Sequence, residues 1–140
     1  MNYPSFDERA DAPPPIKRFE QLWLLSLVVS LIVAILTYPE IVDRLGSYSA
    51  AISEVLLFGT ATGLMFLVSR RRSNLSRWLL TVGFAGFLIL YLSYFGLIDK
   101  VPLGGPLAVL HLSLQVAALV QLYARDSRAW LAVRTLEEDD

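Results

Sequence analysis

Cysteine is absent from the 140 residues, and histidine occurs once, at position 111. The first absence excludes disulfides, thiolate metal ligands and a cysteine nucleophile. With a single imidazole there is also no set of three or four protein ligands for zinc, and a bis-histidine haem would need His111 from two chains. The chain contains no P-loop, dinucleotide fingerprint or HExxH, and Ser76 and Ser127 have no neighbouring histidine to activate them. No catalytic residue, metal or cofactor is therefore assigned, and an enzyme is not expected. Charge is scarce as well, at 18% of residues against 55% hydrophobic, and the net charge of -1 gives no basis for nucleic-acid binding.

What is present is long and apolar. A hydrocarbon slab of about 30 Å takes about 20 helical residues, and four runs reach that scale. They cover 21–38, 49–69, 78–98 and 107–124, and Glu54 is the only charged residue within them. Trp23 and Tyr38 lie near the ends of the first run, where amphipathic rings favour the headgroup layer, and Pro39 is expected to end it. Arg70, Arg71 and Arg72 close the second run, a short turn of Asp99, Lys100, Val101 and Pro102 follows the third, and Gly104, Gly105 and Pro106 open the fourth. Soluble amphipathic helices would carry polar residues every few positions, and barrel strands would alternate; these runs do neither. The expected class is all-α, a polytopic bundle of four transmembrane helices over 19–131. Segment 1–18, with Pro13, Pro14 and Pro15, reads as a disordered Pro-rich tail ending in a stiff polyproline stretch, and 132–140 as an acidic tail. The first run is too long for a signal-peptide apolar core and lacks a small-x-small cleavage site, so it is read as an anchor.

Basic residues set the orientation. Arg9, Lys17 and Arg18, then Arg70, Arg71, Arg72 and Arg77, then Arg125, Arg128 and Arg134 fall on one side, and only Arg44 and Lys100 on the other. The basic-rich side is cytoplasmic under the positive-inside rule, so both termini are expected there. The loops from Pro39 to Tyr48 and from Asp99 to Pro106 would then face outward.

Ser76-Arg77-Trp78 at the start of the third run and Asp126-Ser127-Arg128-Ala129-Trp130 after the fourth form arginine-aromatic boundary motifs. With four short spans, they give the region from Lys17 to Leu131 a chain that resembles a widespread group of small bacterial inner-membrane proteins with no assigned chemistry. The resemblance implies the bacterial inner membrane as location and supplies no activity. Physically, a cation at phosphate level beside an indole fixes helix depth, which makes Arg77, Trp78, Arg128 and Trp130 interface anchors. The cluster Arg70, Arg71, Arg72 and Arg77 also suits anionic lipid headgroups.

Small residues indicate where helices approach. Gly59 and Gly63 form a GxxxG in the second run, Ser26, Ser30 and Ala34 a small-xxx-small ladder in the first, and Gly83 and Gly86 interrupt the third. On a helical wheel Gly59 lies about 140° and Gly63 about 180° from Glu54, so both faces of that helix should meet protein. A homo-oligomer or a larger membrane complex is one outcome, packing within the chain the other.

Glu54 and His111 have comparable depths in the outer half, and Gln115 shares the face of His111 at i+4. One outcome is a hydrogen bond between Glu54 and His111, with Tyr91 and Tyr94 completing a polar cluster alongside Thr37 and Tyr38; the other is that Glu54 reaches the outer interface and His111 makes one structural hydrogen bond. The leading expectation for function is a non-enzymatic scaffold or accessory subunit working through helix contacts. A small channel, carrier or lipid-interacting protein lined by Glu54, His111 and Gln115 is the alternative, and a quinone or haem protein using His111 and the tyrosines is a third.

Overall fold

The computed structural model describes residues 12–98 and 103–137, with side chains described for 12–89, 92 and 103–132. It is all-α, with five helices in the order α1 (Pro14–Leu45), α2 (Ser47–Arg71), α3 (Asn74–Ile98), α4 (Gly104–Leu122) and α5 (Arg125–Glu137). Among the described residues α1, α2 and α4 are long and apolar enough to cross a membrane, while α3 shows a shorter apolar stretch over Asn74–Ile89.

Local chemistry explains the ends. Pro14 and Pro15 occupy the first helical positions of α1, where a missing N–H leaves nothing unpaired, and the Pro13 carbonyl accepts from Ile16 at 2.9 Å. The three prolines therefore start a helix inside the segment read as a tail; residues 1–11 lie outside the described residues. The expected stop at Pro39 does not occur, because α1 continues through it to Leu45. Proline at this point removes a single main-chain hydrogen bond, the one the Ile35 carbonyl would accept, and a helix packed among others tolerates that loss. The Thr37 hydroxyl donates further back along the helix, to the Val33 carbonyl at 2.9 Å. At 32 residues, α1 is about 48 Å long, more than the slab needs, so its ends extend past it.

The loop expected from Pro39 to Tyr48 shrinks to one residue. Gly46, at φ 80° and ψ 152°, ends α1 and begins α2. That backbone conformation is open essentially to glycine alone, and nothing lies within 4 Å of where a Cβ would sit, so conformation rather than space requires it. At the other end of α2, Arg72 adopts the left-handed conformation at φ 50°, and Ser73 caps α3 by accepting the Ser76 N–H at 3.2 Å. Gly104, Gly105 and Pro106 form the first turn of α4 rather than preceding it. The turn read at 99–102 lies outside the described residues. Beyond α4 the chain does not trail off: α5 is helical through Glu137, where an acidic tail was expected, and residues 138–140 lie outside the described residues.

The packing is led by α1, which lies against α4 along most of its length and against α2; α3 contacts α2 and α4, and α5 touches α1 and α4. The core gathers Ile16, Phe19, Trp23, Met65, Val68, Leu80, Ala118, Leu122 and Leu131, drawn from all five helices and concentrated toward the arginine-rich end. Leu131 is almost fully buried there, which explains why α5 folds back: its apolar side covers Ile16 and Leu122.

Candidate functional site

His111 pins α4 to α1. Its Nδ1 lies 2.8 Å from the Ser26 carbonyl oxygen. A carbonyl only accepts, so Nδ1 carries the proton and donates. The Ser26 hydroxyl turns back along its own helix to the Trp23 carbonyl at 2.7 Å, and Ser26 itself is fully buried, so this position of the small-residue ladder does bring two helices close. Phe87 meets the imidazole edge-on, at 5.9 Å between centroids.

The expected Glu54 to His111 hydrogen bond is absent. Among the described residues α2 and α4 do not pack against each other, and the main chain of α1 takes the imidazole proton instead. Glu54 is half-buried on the side of α2 that also carries Ala50 and Val68. Gln115 is brought to His111 as its spacing implied: both are buried on one face of α4. Thr37 is buried and bonded to its own helix, Tyr38 is exposed, and the side chains of Tyr91 and Tyr94 lie outside the described residues.

Between α1, α2, α3 and α4 lies a cavity of about 130 Å³. Trp23, His111 and Gln115 form its buried wall, while Phe58, Phe84 and Phe87 make it strongly aromatic. Two of these side chains carry a polar atom, Trp23 Nε1 and Gln115 Oε1, that is buried without a hydrogen-bond partner. Such atoms are uncommon in native structures and call for an explanation. The sequence pointed to Gln115 through its spacing from His111, whereas Trp23 read only as a headgroup-level ring.

The arginine-rich end differs from its sequence reading. Arg70 stacks over Phe66 at 4.6 Å, Arg72 over Trp130 at 4.7 Å and Arg77 over Tyr123 at 5.1 Å. Tyr123 also shares a 2.7 Å hydrogen bond with Thr81, joining α3 to the end of α4. Arg72 and Arg77 therefore clamp elements of the chain together. Arg71, Trp78 and Arg128 are exposed. Sequence reasoning missed Tyr123, and it missed Ser127, which is fully buried and donates to the Gln121 carbonyl at 2.8 Å to fix the turn into α5. It also missed Glu20, a carboxylate buried at this end of α1, for which the abrupt start of the apolar run at Gln21 was the available signal.

The GxxxG lies elsewhere again. Gly59 and Gly63 are exposed, and a Cβ at either would meet nothing within 4 Å. Among the described residues, no helix uses them for close approach. Ile52, Leu56 and Leu67 are exposed too, and their spacing puts all five on one stripe of α2. Among the described residues, no group of three or more His, Asp and Glu could hold a metal ion. Comparison of the chain with protein-family models, characterised proteins and solved structures gives no match.

Proposed function

We propose that the chain is a multi-pass protein of the bacterial inner membrane, in which α1 to α4 form a bundle of four transmembrane helices with both termini in the cytoplasm. It acts as a non-enzymatic scaffold or accessory subunit through helix-to-helix contacts, as a homo-oligomer or within a larger membrane complex, with anionic headgroups at its arginine-rich end. The distribution of ten basic residues against two supports the orientation. The resemblance carried by Ser76-Arg77-Trp78 and the segment around Trp130 supports the location.

One observation carries the reading: the small-residue stripe of α2 faces away from the rest of the chain. Of the three helices suited to spanning, α2 is the least covered, with 11% of its most apolar window buried against 22% for α1 and 33% for α4. In lipid, apolar surface alone does not drive association; close backbone approach at small residues does. A GxxxG left open by its own chain is therefore suited to another helix.

The experiment follows from the open space at both glycines. Gly59→Ile with Gly63→Ile creates no clash within the chain, so unfolding in detergent should be unchanged or shifted upward, since helical glycine is disfavoured by about 0.5–1 kcal/mol. The mass of the detergent-solubilised particle, or the set of proteins co-purified from native membranes, should change. Wild-type mass together with an unaltered set of co-purified proteins would remove the reading.

A further inference from the structure

We propose that the cavity between α1, α2, α3 and α4 is a laterally open binding site for one uncharged, membrane-soluble aromatic molecule with a ring hydroxyl, the head of a phenol or hydroquinone. The inference is independent of the α2 contact surface, which lies on another side of that helix.

Size comes first. An apolar cavity of about 150 Å³ admits a benzene ring, so a volume of about 130 Å³ suits one six-membered ring and little more. Charge narrows the class: no Asp, Glu, Lys or Arg lines the cavity, so neither an ion nor a phosphate would find a counter-charge there. Phe58, Phe84, Phe87 and Trp23 supply ring faces and edges, the surroundings in which an aromatic guest gains beyond mere burial.

The polar atoms select the hydroxyl. Gln115 and Trp23 both line the cavity, both are more than nine-tenths buried, and each leaves one polar atom unpaired. The indole N–H can only donate and the amide oxygen can only accept. A hydroxyl does both, so one group on the guest answers either need, and it would still do so if the amide of Gln115 were turned end for end. His111 adds a second acceptor. With its Nδ1 proton held by the Ser26 carbonyl, a neutral imidazole presents an unprotonated Nε2, and that ring lines the same cavity. An acyl chain would leave all three groups unanswered.

The route in is set by exposure. The wall formed by Trp23, His111 and Gln115 is buried, whereas Leu57 and Thr60 on α2 and Leu79 and Gly83 on α3, which line the cavity as well, are exposed. The mouth therefore opens between α2 and α3, through sides of the helices that face the hydrocarbon. A ring head can enter from the bilayer, and a tail on it can remain in lipid.

Fluorine NMR titration of para-fluorophenol and para-fluoroanisole into the full chain in lipid nanodiscs, against protein-free nanodiscs, tests this directly. The wild type should bind the phenol saturably and about tenfold more tightly than its methyl ether, as expected for one buried hydrogen bond. Gln115→Leu should bring the two ligands to within about twofold, the apolar contacts being kept. Gly83→Leu places a branched side chain in the mouth, where nothing opposes its Cβ, and should abolish saturable binding of both ligands with helicity and thermal unfolding retained. A long-chain para-alkyl phenol should displace para-fluorophenol, since its tail can leave through the mouth. The proposal is overturned by signals no greater than in empty nanodiscs, by equal affinity for phenol and ether in the wild type, or by saturable binding that survives Gly83→Leu. Failure of the long-chain phenol to displace would overturn the lateral entry.

Discussion

At the arginine-rich end of the molecule large side chains from five helices interlock: Phe19 and Met65 are fully buried, Leu122 and Leu131 close over them, and Arg72 and Arg77 lie across aromatic rings. At the opposite end Ile35, Tyr48, Val55 and Leu103 are exposed, and what is buried is small: Ala50, Gly104, Gly105 and Ala108. The two ends face different problems. In the proposed topology α5 lies outside the slab, where joining Leu131 to the core with Ile16 and Phe19 gains the hydrophobic effect in full. Along the stretches of α1, α2 and α4 that the slab would cover, lipid tails are as apolar as leucine and close backbone approach is what is rewarded. Small residues provide that approach between α1, α2 and α4, and the glycine at position 46 turns the chain without a loop.

The sharpest way to break this comparison is to remove one large side chain from each end. Phe19→Ala should lower stability by about 3–5 kcal/mol, the usual range for emptying a buried aromatic site. Val55→Ala, which removes a side chain that is 72% exposed, should change it by less than about 0.5 kcal/mol. Unfolding in mixed micelles by titration with a denaturing detergent measures both. Comparable losses at the two positions would show that packing is spread evenly along the helices.

Between the two ends lies a polar crossing, from His111 to the Ser26 carbonyl. His111→Leu should cost about 1 kcal/mol, as interhelical hydrogen bonds in membranes do. Ser26→Ala should be close to neutral, because the contact is made by the main chain and the serine hydroxyl is satisfied within its own helix. A cycle combining Glu54→Gln with His111→Leu should be additive, since α2 and α4 do not pack against each other and the imidazole is bonded to α1. A coupling above about 0.5 kcal/mol in that cycle would mean that Glu54 reaches the imidazole after all.

Residue spacing made part of this arrangement legible. The apolar runs located the four long helices, because length against slab thickness is a one-dimensional property. Gln115 beside His111 followed from the helical repeat alone. The partner of His111 did not, since it is a main-chain carbonyl, and every residue carries one. Pro39 illustrates a rule applied without its surroundings: proline ends many helices, but inside α1, which packs against α2 and α4, it costs one main-chain hydrogen bond and the helix continues. For Gly59 and Gly63 the residue type signalled close approach and the wheel gave an angle from Glu54, yet neither says which helix, if any, lies on that side. The ring partners of Arg77 and Arg72, Tyr123 and Trp130, were not legible because they are distant along the chain, and only the fold brings them together.

That last pairing offers the smallest effect and a direct test of how the water-facing end is closed. Arg72 ends α2 in the left-handed conformation and holds its guanidinium 4.7 Å from the Trp130 ring centroid on α5, with its Nε buried and unpaired. The ring face is therefore a principal partner of this cation, and its attraction should be about 0.5–1 kcal/mol, more if water is excluded. Arg72→Ala is the appropriate single substitution, because alanine retains the left-handed strain that glycine would relieve, so the backbone contribution is unchanged. Trp130→Leu keeps apolar volume against Leu131 while removing the ring face. In a double-mutant cycle read by unfolding in mixed micelles, the coupling should be about 0.5–1 kcal/mol, and Arg72→Lys should recover only part of it, since an ammonium cannot stack as a planar guanidinium does. Strict additivity would mean that α5 is held by Leu131 and Ser127 alone, leaving Arg72 for the headgroups.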